Sequence, residues 1–309
     1  MIYVFIRGRL GNQLFQYAFI RTLQETNPLQ EVIYIFNEVY QSGDVQNGWE
    51  NSLKYFNTVG VKEETVHKVN LSFLQKVSIK LYWEKYPHNA SIEEKNRYQM
   101  RWLPWLSKNG LYYLDLGYYK FPKVLRNKST IVSGNFESYK YFESIKDKIK
   151  IELTPREPLL EKNKSLYEMI KKKNSVCITI RRGDFVSNQK FNQLLNICTK
   201  TYFDRAIERM KQLVPDLTLF FFSDDIRWTK KNLHYNIESY YEDGGDPVWE
   251  KLRLMYSCKH FIISNSTFSW WAQYLGNDQN KRVIAPSKWY NNNFTVALYQ
   301  DTWELIEVE

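Results

Sequence analysis

SVCITIRRGDF, residues 175–185, is an uncharged, largely apolar run that stops abruptly at two arginines, a glycine and an aspartate. A continuous apolar run of this kind predicts a strand over 176–180 buried on both faces, as strands of parallel sheets are. The surrounding sequence repeats the theme. A helical pattern at 159–173 precedes this strand, and a helix at 200–213 precedes a strand at 217–222. A helix at 247–258 then leads into a strand at 261–264, a helix follows at 266–275, and a strand at 283–285 closes the series. Strands alternating with amphipathic helices predict a doubly wound α/β domain.

The amino-terminal end carries the same signature. A strand at 2–6 meets a turn built on Gly8 and Gly11, then a helix at 12–25 and a strand at 31–36. That is a βαβ unit, which implies a second parallel sheet. Between 40 and 155 the pattern is less regular: a helix near 71–86, the aromatic stretch LYYLDLGYY at 111–119 and a strand at 130–133. Two prolines in TPREP, 154–158, mark the expected boundary, dividing the chain into domains 1–155 and 156–309.

The 309 residues are 43% hydrophobic and 25% charged, which excludes wholesale disorder. Aromatic residues reach 17%, and their first expected use is to fill cores, their second to line sugar-facing clefts. A net charge of +9 calls for an anionic partner, whether a phosphorylated small molecule or an acidic membrane surface. Lysines such as Lys171–173 follow a helical pattern and solvate its end, so nucleic acid is set aside. Cys177, Cys198 and Cys258 have neither disulfide-framework nor zinc spacing, and the four histidines are scattered, so no metal is expected. The apolar start is too short for a signal peptide or membrane span, which predicts a cytoplasmic protein, at most peripheral to the inner membrane face.

In a doubly wound sheet, ligands bind outside the carboxyl ends of the strands, where Arg181 and Arg182 stand. Side chains alternate along a strand, so the two are expected to divide their work: one facing an anion, the other pairing with Asp184 or capping a neighbour. FFFSDD brings Ser223, Asp224 and Asp225 to a second strand end, where a carboxylate can accept from a base or ribose. ISNSTFSWW places Asn265, Ser266 and Thr267 at a strand-to-helix junction suited to phosphate, with Trp270 and Trp271 in the core. In GRLGNQLFQYAF, glycines allow close backbone approach, while Asn12 and Gln13 offer amides to hydroxyls.

Taken in order, GRLGNQLFQYAF, ITIRRGDF, FFFSDD and ISNSTFSWWAQYLG resemble the α-1,2-fucosyltransferases of glycosyltransferase family 11, across residues 8–276. The resemblance implies a GT-B-type α/β fold of two Rossmann-like domains facing a cleft, with the acceptor on the amino-terminal side and the GDP-sugar on the carboxy-terminal side. It also implies inverting, metal-independent transfer of fucose from GDP-fucose to a galactose 2-hydroxyl of an oligosaccharide or glycolipid, without a cofactor. Arg181 matches the first arginine of the family's H-x-R-R-x-D pattern and falls to the β-phosphate, whereas the family's histidine position is Thr179 here. Asp224 or Asp225 matches the nucleoside-binding acid, Ser266, Thr267 and Phe268 the phosphate-proximal loop, and Gly11, Asn12 and Gln13 the opposite wall. Asp184 is the tempting catalytic base, although a carboxylate beside two arginines makes a poor one. Two other readings fit the residues: transfer from a different nucleotide sugar, and a carbohydrate-binding protein without activity.

Overall fold

The computed structural model describes residues 1–36, 50–60, 62–122 and 129–308, and the chain is α/β throughout. It divides into two compact units: Met1–Leu153 with Val296–Leu298, and Thr154–Thr295 with Tyr299–Glu309.

The first unit runs β1 (Ile2–Ile6), α1 (Leu10–Thr26), β2 (Val32–Phe36), β3 (Lys62–Glu63), α2 (Phe73–Glu84), α3 (Ile92–Lys108), β4 (Leu111–Leu114), β5 (Thr130–Gly134) and α4 (Lys146–Glu152). Its strands form one parallel sheet in the order β3-β2-β1-β5-β4. The strand order reverses between β1 and β5, whose carboxyl ends therefore flank the crevice that such sheets offer to ligands. The aromatic middle of the sequence packs here as core: Tyr82 stacks on Tyr113 at 5.0 Å, with Trp83, Tyr86, Tyr98 and Trp102 around the pair. Both α2 and α3 open on full capping boxes, Ser72 with Gln75 and Ser91 with Glu94. These satisfy amide groups that a helix start otherwise leaves bare. Helix α3 also carries Pro104 in its interior, and its presence between residues 92 and 108 is an addition to the sequence reading.

The second unit runs α5 (Lys164–Lys172), β6 (Asn174–Ile180), α6 (Gly183–Ser187), α7 (Gln189–Leu195), α8 (Lys200–Leu213), β7 (Leu217–Ser223), α9 (Ile226–Asn232), β8 (Ser239–Tyr241), α10 (Val248–Tyr256), β9 (His260–Ile262), α11 (Thr267–Leu275), β10 (Val283–Pro286) and β11 (Glu304–Ile306). Its sheet is parallel, in the order β11-β10-β9-β6-β7-β8. Renumbered within the unit this is 3-2-1-4-5-6, the Rossmann order, with its reversal between β6 and β9. Helix α8 buries Tyr202, Phe203, Ala206, Ile207 and Met210 against Val176, Ile178, Leu219 and Phe221. Each large side chain removed from water in this way stabilises the unit by roughly 1.5–3 kcal/mol before entropy is counted. Trp270 and Trp271 lie wholly in the core, as expected. Among the described residues, no helix is long and apolar enough to cross a membrane.

Candidate functional site

Strands β6 and β9 lie side by side where the order of the second sheet reverses, and Thr179 fastens their ends together. Its buried hydroxyl accepts the Ser264 amide at 3.1 Å. The position at which the resembling family has a histidine is thus a buried strand-to-strand tie.

Two residues further, the arginines emerge. Arg181 donates from one amino group to Asp184 (2.5 Å) and from the other to Asp224 (2.6 Å). Arg182 gives its amide to Asp224 (2.8 Å) and its Nε to Asp225 (3.3 Å), while its guanidinium lies 3.7 Å from the Trp228 ring centre. The two arginines are held differently, but both lie past the end of β6, and it is Arg181, the one expected to face the anion, that pairs with Asp184. Arg182 is pinned by stacking and pairing, and Arg181 keeps three of its five N–H donors outside these two bonds. Gly183 has a specific reason to be glycine: a Cβ there would sit 2.6 Å from the Asp224 carboxylate. Asp225 also caps α9 by accepting the Trp228 amide at 3.1 Å. All five charged side chains remain partly open to solvent, between 21% and 39%.

Across the reversal, Ser266 stands at the N-cap of α11 with an extended backbone and no side-chain cap bond. A helix start of this kind favours an anion. Thr267 and Phe268, in the same turn, are half-buried. Asn265 behaves differently from its sequence expectation. Its amide donates to the Leu195 and Trp289 carbonyls, both at 2.9 Å, and its oxygen accepts from the Cys198 thiol at 3.5 Å. Burial pushes that thiol up to about 12, which keeps it a protonated donor. The Asn265 side chain is thereby a joint between α7, β9 and the segment after β10, with both of its N–H donors engaged.

In the first unit the glycine turn bends through Gly8, whose φ of +82° suits a residue without Cβ. The expectation for Gln13 is corrected here as well. It is fully buried, donates to the Gly8 and Glu50 carbonyls at 2.7 Å each and accepts the Ser52 amide at 2.9 Å. Gln16, which sequence reasoning passed over, grips both backbone groups of Arg7, accepting its amide at 2.8 Å and donating to its carbonyl at 3.1 Å. So held, Arg7 pairs with Asp115 at the end of β4. Beside them comes a corner after β5 in which Phe136 takes a left-handed backbone, φ +51°, and stacks on Phe19 at 3.9 Å. Non-glycine residues rarely adopt that conformation, and they do so where the surroundings demand it. The next residue, half-buried Glu137, lies within electrostatic reach of Arg7 and Asp115. Loss of solvent around its carboxyl, then the charge of Asp115, raises it to about 7, with Arg7 opposing. Arg7, Asp115, Gln16 and Glu137 come from four separate stretches that only the strand order brings to one sheet edge. Gly11 and Asn12 sit in the first turn of α1 next to this edge.

The Glycosyl transferase family 11 model matches residues 1–307. An Escherichia coli alpha-1,2-colitosyltransferase is 36% identical over 161 residues, 51% of this chain and 55% of the relative, so that match spans only about half of its length. The Escherichia coli O-antigen biosynthesis glycosyltransferase WbnK is 26% identical over 98% of this chain and 99% of its own. Human galactoside alpha-(1,2)-fucosyltransferase 1 is 23% identical over 49% of this chain and 44% of its own. Among solved structures, the NodZ alpha-1,6-fucosyltransferase soaked with GDP-fucose aligns over 93% of this chain and 94% of its own, with a TM-score of 0.52 and 14% identity. That likeness shows the fold, the GT-B type of two Rossmann-like units. With a family match over all but its last two residues, the chain belongs to glycosyltransferase family 11, a family of sugar-transferring enzymes.

Proposed function

We propose that this chain transfers L-fucose from GDP-fucose to the 2-hydroxyl of a galactose residue in an oligosaccharide or glycolipid, inverting the anomeric centre and using no metal. The observation that carries the reading is that Arg181 and the start of α11 both follow strands at the reversal of a Rossmann-ordered sheet. As the sugar–phosphate bond breaks, negative charge builds on the departing diphosphate. Fixed guanidinium N–H groups and helix-start amides meet that charge where it develops. Arg182 holds the corner in place through Trp228, and Asp224 and Asp225 orient both arginines while offering acceptors to the nucleoside. Ser266, Thr267 and Phe268 complete the phosphate side. Asp184, tied to Arg181, serves as an orienting partner rather than as the base.

The donor sugar admits a second reading, favoured by the 36% identity to a colitosyltransferase. Colitose is fucose without its 3-hydroxyl, so the same nucleotide site would serve both. Incubation with GDP-fucose or GDP-colitose, lactose or N-acetyllactosamine and EDTA decides between them. Acceptor-dependent GDP release with fucose, and an α-linked product by NMR, is the expected result. Release with colitose alone would move the assignment to the second reading, and glycan binding without release from either would sink both.

On the acceptor side, Glu137 is the group to watch. At a carboxyl group raised to about 7, the neutral form prevails below that pH and donates an O–H to a sugar hydroxyl; above it the proton is lost. The acceptor KM of the wild type is expected to rise as pH climbs through about 7, and Glu137→Gln, which mimics the neutral acid, should stay active with a flat profile. An inactive Gln variant with unchanged acceptor KM would instead make Glu137 a proton acceptor.

A further inference from the structure

Helix α2 is built inside out over its first two turns. Gln75 and Ser78 face inward and are 4% and 1% exposed, whereas Phe73 is 78% and Leu74 64% exposed. Val77 joins them at the surface. The inward amide is no accident of packing, for it donates to the Asn109 and Ser129 carbonyls at 3.0 and 3.1 Å. Helix α3 adds Met100 and Trp105, both exposed. Two hydrogen bonds fix how the helices run. Gln75, at the start of α2, reaches Asn109, just past the end of α3, and the Tyr98 hydroxyl in α3 donates to the Tyr82 carbonyl late in α2 at 2.6 Å. The pair is antiparallel, which brings Phe73, Leu74 and Val77 to the same end as Trp105.

Charge is sorted along the same axis. Lys76, Lys80, Arg101 and Lys108 are exposed at this end, and neither 73–83 nor 100–108 contains an acidic residue. At the other end of the pair Glu84, Glu93 and Glu94 are balanced by Lys85, Lys95 and Arg97, and among the described residues Lys80's ion pair is a long, exposed contact with Glu84. Soluble proteins seldom leave aromatic and aliphatic side chains together in water without a use for them. A second copy of the chain is a poor occupant, because a two-fold interface would set these four cations against their own images. A nucleic-acid backbone would leave the apolar side chains without a partner.

We propose that this end of the α2–α3 pair is a docking surface for an anionic lipid bilayer. Phe73, Leu74, Val77 and Trp105 enter the interfacial region, and the lysines and Arg101 lie over the lipid phosphates. Aromatic residues favour that depth, and each basic side chain near an anionic leaflet adds attraction that salt screens. The peripheral contact expected from the +9 charge thus acquires a place on the fold. The surface is independent of which sugar is transferred.

Flotation of the whole protein with vesicles of equal parts phosphatidylglycerol and phosphatidylcholine, against phosphatidylcholine alone, tests it. The wild type is expected to float with the anionic vesicles only, and to be released by high salt. Phe73→Ser with Leu74→Ser, and separately Lys76→Glu with Lys80→Glu, should each weaken the binding about tenfold or more. Both should melt as the wild type does and transfer sugar to a soluble acceptor at an unchanged rate. A wild type that fails to float, or a Phe73→Ser/Leu74→Ser variant that floats as well as the wild type, would overturn the proposal. So would a wild-type dimer on size exclusion that the same variant converts to monomer, or vesicle binding abolished by a stoichiometric DNA duplex.

Discussion

Arg181→Ala is expected to lower turnover about 10²- to 10³-fold, the cost of removing one fixed donor aimed at developing charge. The loss should be larger than a single missing hydrogen bond suggests, because Arg181 also neutralises Asp184 and Asp224. Without it, the carboxylates of Asp184 and Asp224 lose a guanidinium partner beside the incoming diphosphate. The donor KM should therefore rise along with the fall in kcat. Arg181→Lys is expected to recover part of the KM and little of the kcat, since an ammonium supplies charge but not the planar fork. Steady-state GDP release, run with EDTA, reads both parameters. A variant within tenfold of wild-type kcat would remove the leaving-group role from Arg181.

Trp270→Ala should destabilise the second unit by about 3–5 kcal/mol, the range for deleting a large aromatic from a closed core. Trp270 is fully buried, stacks on Tyr274 at 4.8 Å and meets the Trp271 ring edge-on at 5.2 Å. For a unit of this size the melting point falls by roughly 2–4 °C per kcal/mol. The helix it anchors is α11, so donor affinity should weaken at temperatures where the chain is still folded. Calorimetry with and without GDP measures both effects. A loss below about 1.5 kcal/mol would mean that α11 is held by something other than this aromatic stack.

The second sheet was readable because parallel strands buried on both faces leave uninterrupted apolar runs. Cys177 to Ile180 and Leu217 to Phe222 are such runs, and α8 shows its buried stripe in plain spacing. Edge strands β8 and β11 were missed for the converse reason: three half-exposed residues each carry no pattern to detect. Helix α3 hid behind Pro104 and its own aromatic density, although the Ser91–Glu94 capping box had announced its start. The placement of Arg181, Asp224 and Ser266 just past strand ends was legible, because each follows an apolar run in sequence. The site was illegible in two ways. Residue type does not reveal whether an amide is already engaged, which is why Gln13 and Asn265 looked like ligand-facing groups and proved to be joints. Adjacency across a sheet is likewise invisible, so Glu137 and Asp115 could not be linked to the glycine turn before the order β1-β5-β4 was known.

That same order has a consequence for how the chain is made. Ile2 to Phe5 hydrogen-bond alongside Thr130 to Ser133, so β1 has one neighbour that is made 128 residues later. Val296–Leu298 completes the first unit, and Leu298 is wholly buried there. At synthesis rates of about 5–20 residues per second, β1 waits many seconds for its central partner. Such distant pairings are slow to form. The amino-terminal unit should thus close late, only after most of the second unit has also been made. Protease protection of stalled nascent chains would show this: residues 1–36 staying sensitive in chains stalled before residue 296 supports it, and early protection of those residues refutes it.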